Sequence, residues 1–576
     1  MEQKVCKNCN QQFVIEQQDL KFYDRVASPI PKYCPSCRMQ RRLAHRNERT
    51  LYRRSCDLCK KDMVAIYPSN TPWPVYCHEC WWSDKWDPKD FGMAYDPQKA
   101  FLEQFGELQK KVPRIALLSI TSVNSEYTNN SADNKNCYLI FAAEQNEDCL
   151  YGRLVQRSRL VMDVAFTYDS ELSYECVDCR KCNNCLFSER CQSSIDLLFC
   201  FNVRDSQNCI FGINSRYQTY TIEGKKVNKE EFERKKREIL ASSTSLQKAK
   251  RYFEELKSRA LVKYAFQTKC VNATGDYLFN CHDSRLAYDA ENTKDCAYLA
   301  DIAGATDCCD GNNMYYTPEL CYDLMGIIKC YKSKHSGYIF YCNGVEYCDN
   351  CYNAEHCFGS IGLRKAKYCI LNREYSKEEY EKLKKQIVDS MEKEGTYGQF
   401  FPPSLSPFVY NETLAKDYLP FPKEEGLKKG FRWQDQETGT YGKETIKKDE
   451  MPSTIEEVGD DILNEVLACE DCGKNFRIIK PELDFYRKMH LSLPRKDFEC
   501  RHQARMAKRT PRTLWHRSCQ CAGRTSDLRP TTNDQYQNTI SHFHKEKHCP
   551  NEFETSYSLQ RSEIVYCEQC YIAEVA

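Results

Sequence analysis

Two short motifs decide the fold of the N-terminal region: VCKNCNQQF at residues 5–13 and YCPSCRMQRR at residues 33–42. Each contains a Cys-x-x-Cys turn, which places two thiolates close together while backbone amides hydrogen-bond the sulfurs. Together the two turns supply the four ligands of one tetrahedral zinc site. The predicted ligands are Cys6, Cys9, Cys34 and Cys37.

A second pair of turns follows directly and predicts a second site. The spacing of these turns falls inside the C-x2-C-x15-20-C-x2-C pattern that is typical of zinc sites. The ligands are Cys56, Cys59, Cys77 and Cys80. Because Cys37 and Cys56 are separated by a similarly short segment, pairing of the two middle turns stays an alternative. We predict sequential pairing.

The C-terminal region is a copy of this module. Cys6–Cys56 aligns with Cys469–Cys519 without a gap, at cysteine, aromatic and arginine positions. Asp497 stands where the first copy has Cys34, and His502 is an alternative fourth ligand because it follows Cys500 closely. The predicted ligands of this weaker site are Cys469, Cys472, Asp497 and Cys500.

The last zinc site has five candidate cysteines for four places. VYCEQC at residues 565–570 repeats VYCHEC at residues 75–80, so the final two cysteines are the safest choices. The candidates are Cys519, Cys521, Cys549, Cys567 and Cys570. Altogether the chain is expected to bind about four zinc ions. Structural rather than catalytic roles are expected, because the N-terminal pairs close their tetrahedra with cysteine alone and leave no open coordination position.

The composition fits a cytoplasmic protein of several domains. Lys and Arg (83) nearly balance Asp and Glu (82) among the 576 residues, which excludes a global basic field. The start of the chain has no apolar signal core, and no run of about 18 apolar residues predicts a membrane span. In a reducing compartment, 37 cysteines favour metal ligands and buried thiols over disulfides.

The middle of the chain is also duplicated. Residues around Cys182 match those around Cys330 at one constant offset, and NKNCYL around Cys137 matches TKDCAYL around Cys296 at a slightly longer one. Cysteines recur nine residues apart among Asn, Asp, Gly and aromatic residues, as at Cys182 and Cys191. This pattern predicts short strands and bends in a parallel β-helix-like solenoid.

Each middle block ends in a predicted helical tail. The tails begin at capping residues, Asn228 and Ser376, and each has a glutamate three positions later, Glu231 and Glu379. This arrangement is typical of a helix N-terminus.

The predicted fold is therefore multidomain, with small zinc-ribbon or treble-clef modules flanking a duplicated β-solenoid. The expected boundaries are an N-terminal double zinc-ribbon module at 1–115, solenoid blocks at 120–227 and 265–375, helical tails at 228–264 and 376–394, an extended linker at 395–467 and the C-terminal zinc-ribbon module at 468–576.

The cysteines of the middle are interpreted mainly as small core residues, since buried thiols suit a narrow solenoid. Four of them form overlapping Cys-x-x-Cys spacings, which leaves a further zinc or iron–sulfur site as an alternative. These are Cys176, Cys179, Cys182 and Cys185.

Arginine rows follow the first zinc motif of each copy. A helix that carries such a row suits phosphate groups, because a guanidinium fork takes two oxygens, and RNA is the expected nucleic acid. The alternative is a solvated helix face that pairs with acidic neighbours. The candidate nucleic-acid contacts are Arg38, Arg42, Arg46, Arg501, Arg505 and Arg509.

The quoted motifs, CKNCNQQF with PKYCPSCRMQRR and CEDCGKNF with LPRKDFECRHQARM, resemble the treble-clef-type zinc-ribbon modules of uncharacterised bacterial proteins. The order of modules, the cysteine-rich middle and the SPFVYNET segment at residues 406–413 are similar as well. The resemblance implies zinc binding and no activity. Asp497 departs from the usual pattern of that module.

The sequence contains no nucleotide-binding, zinc-protease or nucleophile-elbow motif, so we expect no enzyme, and the sequence identifies no small-molecule substrate. The leading hypothesis is a zinc-binding scaffold or interaction protein that binds RNA or other nucleic acid through its arginine rows. The alternatives are a scaffold for protein partners alone, and a thiol-based redox or metal-handling protein.

Overall fold

Parallel β-structure fills the middle of the chain in the computed structural model, which describes residues 1–435, 439–521, 539–545 and 548–575. Small parts of the predicted linker and C-terminal module lie outside the described residues: 436–438, 522–538, 546–547 and 576.

The chain divides into two compact units by its internal contacts. The first comprises Met1–Leu117, Ala265–Asp435 and Arg512–Leu514. The second comprises Leu118–Tyr264 and the described residues of 436–511 and 515–576. Each terminal module therefore shares a unit with one of the two middle blocks, the N-terminal module with the later block and the C-terminal module with the earlier one.

The first unit contains a sheet of eight parallel strands arranged in sequence order. Ala287 lies opposite Leu299 and Ala300 lies opposite Asn312, which is a step of twelve residues in both cases. Only a few residues connect neighbouring strands, and each strand pairs with the next one along the chain. The strands are Gln267–Thr268, Gly275–Phe279, Arg285–Lys294, Ala297–Thr306, Cys309–Tyr315, Tyr322–Ile328, Gly337–Phe340 and Asp349–Tyr352. An antiparallel pair, Cys369–Ile370 with Arg373–Glu374, ends this block.

The second unit repeats this arrangement with shorter strands. Cys185 lies opposite Leu197, and Leu197 lies opposite Cys209, again twelve residues on. The five-stranded sheet consists of Asn183–Leu186, Ile195–Leu198, Gln207–Ile210, Thr219–Ile222 and the antiparallel Lys225–Lys226. Two further parallel pairs precede it: Ser119–Ile120 with Ser131–Ala132, and Arg153–Gln156 with Ala165–Tyr168.

The core of the strand block in the second unit is built from every third residue. Its buried members all differ in number by multiples of three: Cys137, Ile140, Ala143, Cys149, Val155, Val161, Val164, Cys176, Cys179, Cys182, Cys185, Cys191, Leu197, Cys200, Val203 and Cys209. The preceding residue has left-handed backbone, as at Asp163 (φ 55°), Asp178 (φ 57°) and Asn184 (φ 52°). Asn and Asp adopt this conformation more readily than other non-glycine residues, which accounts for their abundance here.

The N-terminal module consists of two β-hairpins, each followed by a helix. The hairpins pair Glu2–Val5 with Gln12–Ile15 and Tyr52–Ser55 with Asp62–Ala65. A short parallel pair joins Val75–Tyr76 to Arg114–Ile115. The helices are Gln17–Arg25, Pro35–Leu43, His78–Trp81 and Phe101–Gln109, with a 3-10 turn at Pro88–Phe91.

The C-terminal module repeats this order as far as the helix that follows its last strand. Its hairpins pair Leu467–Ala468 with Asn475–Phe476 and Trp515–Ser518 with Glu552–Thr555. Strand Ile564–Tyr566 runs parallel to Leu261–Lys263. The helices are Lys480–Met489, Phe498–Ala507 and Glu568–Val575.

Helices follow each middle block where the capping residues predict them. The Asn228 side chain accepts a hydrogen bond from the Glu231 amide at the start of Lys229–Leu240, and Ser243–Ser258 follows. Ser376 and Glu379 form a reciprocal capping box at the start of Lys377–Glu394.

The segment predicted as an extended linker contains short helices and docked aromatic rings. Phe408 stacks on Tyr67, and Phe401 stacks on Phe105, within the first unit. The helical turns are Pro403–Leu405, Tyr410–Glu412, Leu414–Tyr418, Lys423–Lys428 and Asp460–Asn464. Among the described residues, no helix combines the length and the apolar character that a membrane span requires.

Candidate metal centres

The first group of metal-ligand side chains lies where a hairpin turn meets the start of a helix. Cys6 and Cys9 lie in the turn between the two strands of the first hairpin, Cys34 precedes helix Pro35–Leu43, and Cys37 lies in the first turn of that helix. The four sulfur atoms lie within 4.8 Å of one another, with 3.7 Å between those of Cys9 and Cys34. A tetrahedron with metal–sulfur bonds of about 2.3 Å has edges of about 3.8 Å. The group therefore has the dimensions of a four-thiolate metal site.

Two thiols of this group, Cys34 and Cys37, have pKa values that are shifted in opposite directions. The pKa of Cys34 is lowered to about 5, chiefly by its hydrogen bond with Cys37. The pKa of Cys37 is raised well above its ordinary range by the same hydrogen bond and then by burial. All four sulfurs can be thiolates together only if a positive ion offsets their charge, which is what metal binding supplies.

The second group repeats this plan with Cys56, Cys59, Cys77 and Cys80. The sulfur atoms of Cys59 and Cys77 are 3.9 Å apart, and the Cys77 amide donates to the Cys56 sulfur over 3.3 Å. Cys77 precedes helix His78–Trp81, as Cys34 precedes its own helix. The structure thus brings the N-terminal turns together in sequential pairs, rather than the two middle turns with each other.

The third group is the one with a carboxylate. It consists of Cys469, Cys472, Asp497 and Cys500, and His502 is not among its members. Asp497 caps helix Phe498–Ala507 by accepting from the Glu499 and Cys500 amides with one oxygen. Its other oxygen accepts from the Cys472 thiol over 3.2 Å. Burial alone would raise the pKa of Asp497, but hydrogen bonds from Cys469, Cys472 and Cys500 lower it, which favours the anionic carboxylate.

The fourth group contains four of the five candidate cysteines: Cys519, Cys549, Cys567 and Cys570. The sulfur atoms of Cys549 and Cys567 are 3.8 Å apart, and the Cys567 amide donates to the Cys519 sulfur over 3.2 Å. All four side chains are buried.

Cys521, the fifth candidate, belongs to a neighbouring group with His542, His544 and Cys570. The sequence-based prediction missed these two histidines. The available signal was the His-x-His spacing inside the long segment between Cys521 and Cys549. Five groups of four side chains therefore have metal-ligand geometry among the described residues.

The N-terminal arginines predicted to contact nucleic acid are buried within the first unit. Arg42 is fully buried and lies 2.8 Å from an oxygen of Asp323 and 3.2 Å from one of Asp310. Arg38 pairs with the same Asp310 oxygen over 2.9 Å, and a cation–π contact with Tyr338 adds to the pairing of Arg46 with Glu48.

The C-terminal arginines are buried in the same manner within the second unit. Arg501 and Arg505 each approach Asp163 to 3.1 Å, and Arg509 approaches Asp178 to 3.0 Å. Arg501 also lies 3.1 Å from Glu482. All six guanidinium groups are buried and pair with carboxylates. In the described structure the arginine rows pair with acidic residues, which is the alternative role considered from the sequence, and they do so in the interior rather than on a solvated face.

The cysteines of the middle donate to backbone carbonyls. Cys176 Sγ lies 3.1 Å from the Cys185 carbonyl, and Cys179 Sγ lies 3.4 Å from the Ser188 carbonyl, nine residues on in both cases. Burial of Cys200 raises the pKa of its thiol well above the usual range, so this position favours the neutral form. Within the described part of the chain, the metal-ligand groups include none of Cys176, Cys179, Cys182 and Cys185.

Comparison with known proteins gives little beyond this geometry. No protein family matches the chain, and neither does any curated protein. Among solved structures, one described as an acetyltransferase from Desulfovibrio desulfuricans G20 is similar at 9% identity and a TM-score of 0.11. The match covers 42% of this chain and 63% of that one. A similarity at this level carries no argument about fold or activity, so the cysteine groups themselves remain the basis for a function.

Proposed function

We propose that the chain is a zinc-dependent scaffold protein, in which metal ions fold the terminal modules and the modules are locked onto the parallel strand blocks. The observation that carries this proposal is the position of each arginine helix. Helix Pro35–Leu43 begins at two cysteines of a metal-ligand group and carries Arg38 and Arg42, which ion-pair with carboxylates of the eight-stranded sheet.

Zinc is the proposed metal because of the donor set. Thiolates at tetrahedral spacing select zinc or iron–sulfur clusters over magnesium, calcium or manganese. Hairpin turns joined to helix starts are typical of structural zinc modules. Small modules of this kind bury too little apolar surface to fold alone, and bound zinc contributes about 10–16 kcal/mol in comparable peptides.

The strand blocks are proposed to be β-solenoids. A twelve-residue register, repeated along both blocks, supports one coil for every twelve residues. A core residue at every third position supports four short sides to each coil. The cysteine spacing of nine residues is then three sides of the coil, and small apolar thiols fill its narrow interior.

Metal and solenoid are coupled through charge in this proposal. Cys34 and Cys37 fix the first turn of the helix, and Arg38 and Arg42 follow on one face because residues four apart lie together. Loss of the metal would withdraw these guanidinium groups from Asp310 and Asp323. An unpaired buried carboxylate is strongly destabilising, so the module and the strand block are expected to support each other.

Metal analysis of the purified full chain tests this function. We expect at least four zinc ions per chain, and the Cys37→Ser variant is expected to lose one of them. Cys209→Ala is the matched control, because Cys209 is also buried but belongs to the core rather than to a metal-ligand group. Iron in place of zinc, or a zinc content that Cys37→Ser leaves unchanged, would contradict the proposal.

We further propose that the partners of this non-enzymatic scaffold are proteins rather than RNA. The six arginines that were predicted to contact nucleic acid are buried. Their burial supports this choice, because contacts with phosphates dominate the affinity of proteins for nucleic acids. Titration with a fluorescent single-stranded RNA at low ionic strength should give no saturable binding. Tight binding that weakens steeply with salt would overturn the choice of partner while leaving the zinc sites untouched.

A further inference from the structure

The second hairpin of the C-terminal module carries an insertion in its metal-binding turn. In the N-terminal module, only two residues lie between Cys56 and Cys59, whereas the segment between Cys519 and Cys549 is many times longer. The hairpins that flank the two turns nevertheless have equivalent pairing: Ser55 lies opposite Asp62, and Ser518 opposite Glu552, at the end nearest the turn. Cys549 therefore takes the position of Cys59, and the extra residues, here called the excursion, are inserted in the sequence between two ligands.

This excursion brings ligands of its own. Cys521 opens it, and His542 and His544 lie near its end. Cys521 Sγ is 3.1 Å from His542 Nδ1 and 3.3 Å from His544 Nε2, while His544 Nε2 is 3.3 Å from Cys570 Sγ. All four ligand atoms lie within 4.8 Å of one another.

A carboxylate outside this group orients one of its histidines. Glu574 Oε1 lies 2.8 Å from His542 Nε2, and both side chains are fully buried. Metal-bound histidines commonly use their second nitrogen in this way, which fixes the tautomer and makes the ligand nitrogen more basic. Glu574 lies four residues after Cys570 on helix Glu568–Val575, so a single helix face supplies both a ligand and this support.

Cys570 belongs to both metal-ligand groups of the module. We infer that the C-terminal module holds a pair of zinc ions bridged by the Cys570 thiolate, one ion with Cys519, Cys549 and Cys567 and the other with Cys521, His542 and His544. This inference rests on the proposed zinc-dependent function and adds a fifth ion to the chain.

The charges of such a pair are favourable. Five thiolates and two neutral imidazoles around two divalent ions leave a net charge of −1, and five thiol protons are released on binding. A single ion with four thiolates carries −2, so bridging places less negative charge per ion in a buried site. The second ion also attaches residues 539–545 to helix Glu568–Val575, which carries Cys570.

Metal counts on variants of the full chain test the inference. The unmodified chain should contain five zinc ions by native mass spectrometry, and the double variant His542→Gln/His544→Gln should contain four. His548→Gln is the matched control, since His548 is exposed and outside both groups, and it should retain five. Four ions in the unmodified chain, unaffected by the double variant, would overturn the second site while leaving the zinc scaffold intact. An absence of metal would overturn both.

The bridge has a separate spectroscopic signature. After replacement of zinc by cadmium-113 in the unmodified chain, two of the five cadmium resonances should show scalar coupling to each other through the shared sulfur. Five uncoupled resonances would contradict the bridge. This measurement also decides the question if the double variant does not fold, because it requires no substitution.

Discussion

Substitution of Arg42 by methionine removes the buried cation that joins the N-terminal module to the eight-stranded sheet. Arg42 is fully buried, with Asp323 at 2.8 Å and Asp310 at 3.2 Å. Breaking a buried ion pair by removing one partner costs about 3–5 kcal/mol. Both carboxylates keep another partner, since Asp310 also pairs with Arg38 and Asp323 also contacts His335. We therefore expect the lower end of that range, about 3 kcal/mol.

Tryptophan fluorescence during equilibrium urea unfolding measures this loss. The first unit contains five of the six tryptophans, Trp73, Trp81, Trp82, Trp86 and Trp433, so the signal reports mainly on that unit. The matched control is Arg25→Met, which removes a half-exposed arginine that pairs with Asp307 over 2.7 Å. An exposed pair of this kind contributes at most about 1 kcal/mol. If Arg42→Met costs no more than Arg25→Met, buried arginines do not lock the module onto the sheet.

The pH dependence of this penalty and two cysteine-site variants give three more predictions. The loss of unfolding free energy caused by Arg42→Met should be full at pH 7 and should shrink as the pH falls from about 4 towards 2, because a protonated Asp323 needs no cation. Burial alone would raise the pKa of Asp323, but His335 and then Arg42 lower it to about 2, below the usual value of about 3.9. A loss that does not change with pH in urea titrations would contradict this. Asp497→Cys should complete a four-thiolate site and tighten metal binding there. With cobalt as the metal, the variant should show a stronger sulfur-to-metal charge-transfer band than the control Asp471→Cys, which lies outside the group. Equal spectra would count against Asp497 as a ligand. Cys179→Ala should leave the metal content unchanged and lower the free energy of unfolding of the second unit by about 1–2 kcal/mol, whereas loss of one ion would assign metal to the core cysteines.

The cysteine groups were predictable from sequence because their spacing is local. Each Cys-x-x-Cys turn is a short segment whose geometry depends little on the rest of the chain, and the helix caps at Asn228 and Ser376 are local in the same sense. The replacement of Cys34 by Asp497 was visible by simple alignment of the two ends. For these features, residue type and spacing carry nearly all the information.

The remaining features depend on residues far apart in the chain. Arg42 meets Asp323 across 281 residues, so nothing near an arginine row shows whether it faces carboxylates or phosphates. The nine-residue spacing of the middle cysteines hid the shorter period of three, because many core positions hold Val, Leu, Ile or Ala instead of Cys. His542 and His544 lie well beyond Cys521 in the sequence, and only the folded chain shows that they lie beside Cys570.

Hydrogen exchange before and after zinc removal tests the central claim most directly. Amide protection would be followed by mass spectrometry in the full chain, with and without a strong zinc chelator. We predict that chelation abolishes protection in helices Pro35–Leu43 and Phe498–Ala507, which begin at metal-ligand groups, and also weakens protection in the strands that carry Asp310 and Asp323. Zinc removal that leaves the exchange of both helices unchanged would contradict the zinc-dependent fold.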